Sequence, residues 1–105
     1  MLFRSLLARK DRPTAIFATN DDMAAGVLAA SAQRGIAVPG DVSVIGYDDS
    51  WIATSTWPYL TTVHQPIEDM AAAAVDMLLK QNGDGFEERM LDYHLIERAS
   101  AASAR

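Results

Sequence analysis

Cysteine is absent from the chain. That excludes a disulfide framework and any thiolate metal site, and it fits a reducing compartment. Positive charge is scarce. The 9 lysines and arginines stand against 14 aspartates and glutamates, for a formal net charge of −5. Arg9-Lys10 and the isolated Arg12 are the nearest approach to a basic block, so the electrostatic footprint of a nucleic-acid binder is missing. No apolar run approaches the length of a membrane span. Arg4 interrupts the apolar start that a secretory signal needs unbroken. Glycine numbers only 6 and is nowhere arranged as a phosphate-binding loop. His64 and His94 are isolated, with no serine or cysteine nucleophile beside either and no i, i+4 histidine partner. Each reads as a surface residue or as a support for another group. No enzyme and no cofactor is expected.

What is present is a 105-residue chain of which 50% is hydrophobic. That allows one unit with a modest core and marginal stability by itself. Leu2, Phe3, Leu6 and Leu7 fall on one helical face, so residues 1–10 read as a helix fragment packed on a sheet. Pro13 ends that stretch. Ala15-Ile16-Phe17-Ala18-Thr19 reads as a strand, residues 21–34 as a helix, and residues 42–47 as a second strand. Asn20 is placed to cap the helix, with Asp21 and Asp22 at its positive end. Met23, Ala24, Val27, Leu28 and Ser31 form the predicted inner stripe, and Gly35 the stop. Gly26 inside a helix suggests close packing against a neighbour.

The second half follows another rhythm. Residues 50–59 form a loop carrying Trp51, Trp57 and Tyr59. Residues 61–64 read as a short extended piece, and Pro66 as the first turn of another helix. Its apolar face is Ile67, Met70, Ala71, Ala74, Met77 and Leu78, closed by Lys80 and Asn82-Gly83. Asp84-Gly85-Phe86 is a turn, and Leu91, Tyr93 and Leu95 alternate with polar residues as in a half-exposed strand. From Ala99 on the side chains are small, and a frayed tail is expected.

A strand–helix–strand order brings the ends of two parallel strands to one sheet edge, where open α/β sheets bind ligands. Asn20 and Asp48 then share that edge. A neutral amide and a carboxylate there suit a polyhydroxylated or amine-bearing molecule. Asn20 also caps, and the two roles are compatible. Asp48-Asp49 could instead be an acid–base pair or hold a hard cation, but no further oxygen ligands are obviously spaced for a metal. Trp51, Trp57 and Tyr59 are either a sugar-stacking platform or a protein contact, and a subunit contact is the favoured reading.

Four segments carry a specific resemblance: Pro13-Thr14-Ala15-Ile16 leading to Asn20-Asp21; Asp41-Val42-Ser43-Val44-Ile45-Gly46-Tyr47-Asp48-Asp49; Leu60-Thr61-Thr62-Val63-His64-Gln65-Pro66; and Leu95-Ile96-Glu97-Arg98-Ala99-Ser100. In this order and spacing the chain resembles the C-terminal part of the lactose/purine-repressor family of bacterial transcription regulators. The resemblance implies an α/β fold, a parallel sheet flanked by helices. It is that of a partial C-terminal lobe of a two-lobed region like that of the periplasmic sugar-binding proteins. Residues 1–105 are then a single partial domain, without the DNA-binding head and the N-terminal lobe. It implies that Asp48 hydrogen-bonds the effector, that Asn20 contributes, and that Gln65 lies near the cleft where the chain crosses between lobes. It also implies a homodimer formed through the helix from Asp21 and the loop after Asp49, with Met23, Val27, Trp51 and Trp57 as interface candidates. The implied function is the effector-binding and dimerisation part of a cytoplasmic repressor that responds to a sugar or nucleoside-like molecule. DNA would be met only through the absent head, and no metal or membrane is involved. The alternative is the C-terminal lobe of a transport-type sugar-binding protein. A small hydrolase using Asp48 and His64 lacks a nucleophile.

Overall fold

The computed structural model describes residues 2–80 and 85–104. Asn20 opens the central helix α2 (Asp21–Gln33) with extended backbone and a side-chain oxygen that accepts the Met23 N–H at 2.8 Å. This satisfies one of the orphan donors of the first turn. Gly35, at φ 65°, stops the helix. Ala24, Val27, Leu28, Ala30 and Ser31 are buried. Met23 is not; it is 51% exposed, and the buried stripe runs from Asp21 through Ala24 instead. Asp21 and Ala24 are the residues that face Gly46, where an added Cβ would overlap Asp21 Oδ1 and lie 3.3 Å from the Ala24 methyl.

Strand β1 (Ala15–Phe17) pairs in parallel with β2 (Ser43–Ile45), Ile16 opposite Val44. Both are shorter than predicted, because past Ile45 the ladder changes sides: Ala18 N–H still reaches Ile45 O, whereas Gly46 N–H donates to Thr61 O. Strand β3 (Thr62–His64) is antiparallel to β4 (His94–Ile96), with His64 opposite His94. Single parallel bridges, Ile45 to Thr61 and Asp48 to His64, join the two pairs. β4 is displaced toward the C-terminus from the predicted alternation, and Tyr93 remains 69% exposed.

The core gathers Val27 and Leu28 from α2, Val42 and Val44 around β2, Leu60, Ala53 and Ile36. Helix α1 (Leu2–Ala8) adds Leu7 to it. Contrary to expectation α1 packs on α2 rather than on the sheet, and the Phe3 ring stands over Gly26, where a Cβ would come within 3.2 Å of it. The tail is also not frayed. Ser100 is fully buried, its hydroxyl bonded to Val44 O and to the Thr61 N–H, while Val44 N–H donates to its carbonyl. The small side chains that suggested fraying are what let the tail bridge β2 and the start of β3.

Helix α3 (Ile67–Lys80) buries none of its residues. Ile67 and Leu78 of the predicted apolar face are 58% and 73% exposed, and only its Met70–Met77 part stands near other described residues, Met90 and Tyr93. Asn82-Gly83 and Asp84, expected to end α3 and begin a turn, lie outside the described residues. The molecule extends over 58 × 23 × 22 Å with a radius of gyration of 17.7 Å. A compact domain of this size would have about 13 Å.

One internal group is misplaced for stability. The Ser31 hydroxyl is buried with no hydrogen-bond partner among the described residues. An unsatisfied buried donor costs about 1–3 kcal/mol, and alanine is the better helix former. Ser31→Ala should therefore raise stability by about 1 kcal/mol in urea unfolding; a loss of similar size would refute the reading.

Candidate functional site

The turn after β2 is where most of the structure converges. Asp21, 1% exposed at the start of α2, sends its carboxylate beneath this turn. Its Oδ2 accepts the Ser50 N–H at 2.8 Å and the Ser50 hydroxyl at 3.2 Å, and its Oδ1 accepts the Thr62 hydroxyl at 2.6 Å. A buried carboxylate is tolerated only with such donors. Gly46 makes room for it: a Cβ there would overlap Asp21 Oδ1.

Above Asp21 the backbone of Asp48 and Asp49 takes φ values of 118° and 55°. Positive φ is uncommon in residues other than glycine and costs about 1–3 kcal/mol each, although aspartate tolerates it better than most. Three consecutive amides are held. Asp48 N–H donates to Val63 O at 2.9 Å, Asp49 N–H to Thr62 Oγ1 at 3.3 Å, and Ser50 N–H to Asp21.

The two side chains part company. Asp48 Oδ1 accepts the Gln65 amide at 2.7 Å. Its Oδ2 has no hydrogen-bond partner among the described residues. Asp49 turns to the other side, where Oδ1 accepts Arg98 Nη2 at 2.8 Å and Oδ2 lies 2.9 Å from His64 Nδ1. With Asp49 ionised, that bond requires the His64 proton on Nδ1. Burial pushes the Asp49 carboxyl up, but the hydrogen bonds and charges of Arg98 and His64 outweigh it and hold the group below its ordinary value. Arg98 is anchored in turn, through Nη1 to Leu60 O at 3.0 Å. The imidazoles of His64 and His94 meet with centroids 5.0 Å apart, so these histidines are neighbours, not isolated groups.

Asp48, Asp49, His64 and Gln65 line an open recess of about 430 Å³ together with Pro66 and the first turn of α3. A second recess of about 300 Å³ shares Gln65 and Pro66 and continues along Met70 and Met77 to Met90 and Tyr93. These are volumes of small-molecule sites. The structure thus brings Asp48 and Gln65 together. Asn20 sits on the same carboxyl edge with its oxygen engaged in the cap, and it is not among the residues lining either recess. Of the interface candidates, Trp51 and Trp57 are 76% and 87% exposed and Met23 is exposed, whereas Val27 is in the core and presents no surface. Trp51 stands in a short 3-10 turn (Trp51–Thr54), and Trp57 meets Tyr59 edge-on at 6.0 Å. Among the described residues there is no cluster of three or more metal-ligating side chains, and no helix is long and apolar enough to cross a membrane. Sequence reasoning missed Asp21, Arg98 and Ser100 as members of the network.

The family described as the periplasmic binding protein-like domain matches residues 1–101. The chain is 43% identical over 102 residues to the HTH-type transcriptional repressor PurR of Edwardsiella ictaluri, covering 94% of this chain and 30% of that protein. It thus spans about three-tenths of the curated relatives it matches. Among solved structures, a LacI transcriptional regulator from a Rhodococcus species superposes with a TM-score of 0.85 at 42% identity, over 94% of this chain and 37% of that one. A LacI family transcriptional regulator from Lactobacillus casei, solved with bound sucrose, gives 0.81 at 36% identity, over 95% of this chain and 38% of that one.

The Asp49 geometry has a pH signature. A carboxyl held below its ordinary value of 3.8 contributes stability that is present above that value and lost as pH falls through the folded-state value. In urea unfolding carried from neutral pH into the acid range, the native chain should lose stability more steeply than Asp49→Asn below about pH 4. Identical acid slopes would show that the pairing adds nothing.

Proposed function

Because the chain belongs to the periplasmic binding protein-like domain family, we propose that it is the effector-binding and dimer-forming portion of a bacterial transcriptional repressor. The effector we propose is a sugar or nucleoside-like small molecule. The observation that carries this reading is the Asp48 carboxylate, turned out at the carboxyl edge with one oxygen on Gln65 and one without a partner, beside a recess of small-molecule size. A polyol or a purine N–H offers the donors such an oxygen takes. The repressor relatives and the sucrose-bound regulator favour this reading over a transport protein. Nothing in the site calls for catalysis, and we read the chain as a binding module of the cytoplasm that meets DNA only through another domain.

The uncovered α3 supports a further part of the proposal. An amphipathic helix with no buried residue, in a chain matched to three-tenths of its relatives, fits a helix that belongs with the opposite lobe of a two-lobed region. Gln65 and Pro66 would then mark the crossing, and the recess between Asp48 and α3 would be the cleft. An effector that binds the closed or braced arrangement better than the other shifts the population between them, and with it the spacing of paired DNA-binding heads.

The ligand reading is tested by calorimetric titration of the complete regulator with a panel of mono- and disaccharides, nucleosides and purine bases. A charged hydrogen bond is worth about 1.5–3 kcal/mol, so Asp48→Asn should weaken the ligand that binds by roughly ten- to a hundredfold with little effect on folding. Unchanged affinity would remove Asp48 from the site. Asn20→Ala should loosen α2 by about 1 kcal/mol through the lost cap, and any weakening of binding should be smaller than that of Asp48→Asn, because Asn20 lines neither recess.

The dimer is proposed on the exposed Trp51, Trp57 and Met23, large apolar groups that water leaves uncovered. Sedimentation equilibrium at micromolar concentration should give twice the chain mass, and Trp51→Ser with Trp57→Ser should return it to the monomer. Self-association that survives both changes would move the interface elsewhere.

A further inference from the structure

We propose that Asp49, gripped by Arg98 and His64, is a positioning residue for Asp48, and that Arg98 sets the ligand-facing carboxylate from 49 positions away in the chain. The inference rests on the reading of Asp48 as a ligand acceptor.

Two adjacent carboxylates repel, and a turn that carries both must separate them. Here they are separated by giving the cation to only one. Asp49 holds the Arg98 guanidinium at 2.8 Å and the His64 ring at 2.9 Å. Asp48 receives a neutral amide alone, from Gln65 at 2.7 Å. Asp49 is thereby satisfied at both oxygens, while Asp48 keeps an uncompensated charge and an open oxygen. That division is what a site for an uncharged hydrogen-bond donor needs. The backbone conformation depends on it as well. Asp48 and Asp49 stand at φ 118° and 55°, which a free aspartate pair would leave. The amide bonds to Val63 and Thr62 hold the peptide planes, and the Asp49 side chain ties the turn to the end of β4.

Arg98 is suited to the role because it is itself fixed. One fork nitrogen meets Asp49 and the other meets Leu60 O at 3.0 Å, while its backbone N–H donates to Thr61 Oγ1 at 2.9 Å. A planar guanidinium holds two acceptors at a set angle; a lysine ammonium does not. The Arg98–Asp49 pair is also shielded, with side chains 20% and 18% exposed, unlike the Arg9–Asp11 pair at 59% and 75%.

The test reads the Gln65 side-chain amide in nitrogen-15 spectra of the whole 105-residue chain. Asp48→Ala sets the position of a Gln65 amide that has lost its acceptor. Arg98→Met and Asp49→Asn should each move the Gln65 resonances at least about half of the way to that position, with Arg98→Lys between them and the native chain. Arg9→Met, which breaks an exposed pair, should leave them in place. Loss of stability alone would not shift this signal in the folded population. Should Arg98→Met fail to fold, Asp49→Asn, of unchanged size, decides the matter. Native Gln65 resonances in a folded Asp49→Asn chain would overturn the proposal. No ligand enters this measurement, so its failure is separate from that of the Asp48→Asn titration.

Discussion

The buried carboxylate of Asp21 is the constraint on which the rest of this structure depends. An ionised group with almost no exposure must find donors or leave, and here it finds Thr62 and both donors of Ser50. Those bonds bind the first turn of α2 to β3 and to the segment that follows β2. They require glycine at 46, where any side chain would overlap the Asp21 carboxylate and crowd the Ala24 methyl. The Thr62 hydroxyl that donates to Asp21 also accepts the Asp49 N–H, so the conformation of the acidic turn is inherited from the same group. Removing Asp21 would leave the buried Thr62 hydroxyl and two part-buried donors of Ser50 unpaired at once, a loss no single surface contact could offset.

Around that point the molecule divides into two unequal regimes. From α1 to the turn after β2, and again at the tail, side chains interlock, and fully buried residues come from elements far apart in sequence, such as Val44, Leu60 and Ser100. In α3 and over residues 85–93 there is much less cover: α3 is amphipathic with no buried residue, and Phe86 and Met90 are 104% and 90% exposed. Apolar surface on that scale is an interaction surface in waiting. The candidate site lies at the boundary between the regimes, where Gln65 belongs to both recesses. A ligand seated there, as proposed, would meet both the fixed turn and the base of α3.

Much of this was legible in the residues. The cap at Asn20, the parallel pairing of the strands around it, the placing of Asp48 at their carboxyl edge and the membership of the family followed from local chemistry and from four motifs. What was not legible has a common cause. Arg98 and Asp49 are 49 positions apart, and nothing in the neighbourhood of either announces the other. Ser100 looked like part of a loose tail because small residues carry no burial signal, yet smallness is what the crossing between β2 and Thr61 demands. Helical period alone places Met23 inward, because an apolar count passes over Asp21, the charged residue that in fact occupies the buried face beside Gly46. The face of α3 was read correctly as apolar, and periodicity cannot say what covers it.

The central claim is that Asp48, held out by its neighbours, meets the effector. The most direct measurement is a crystal structure of the complete regulator with the ligand that binds it. The account predicts a ligand hydroxyl or N–H within hydrogen-bond distance of Asp48 Oδ2, the Asp49–Arg98 pair intact, and α3 covered by the opposite lobe. A ligand bound elsewhere, with Asp48 bonded to Gln65 alone, would contradict it.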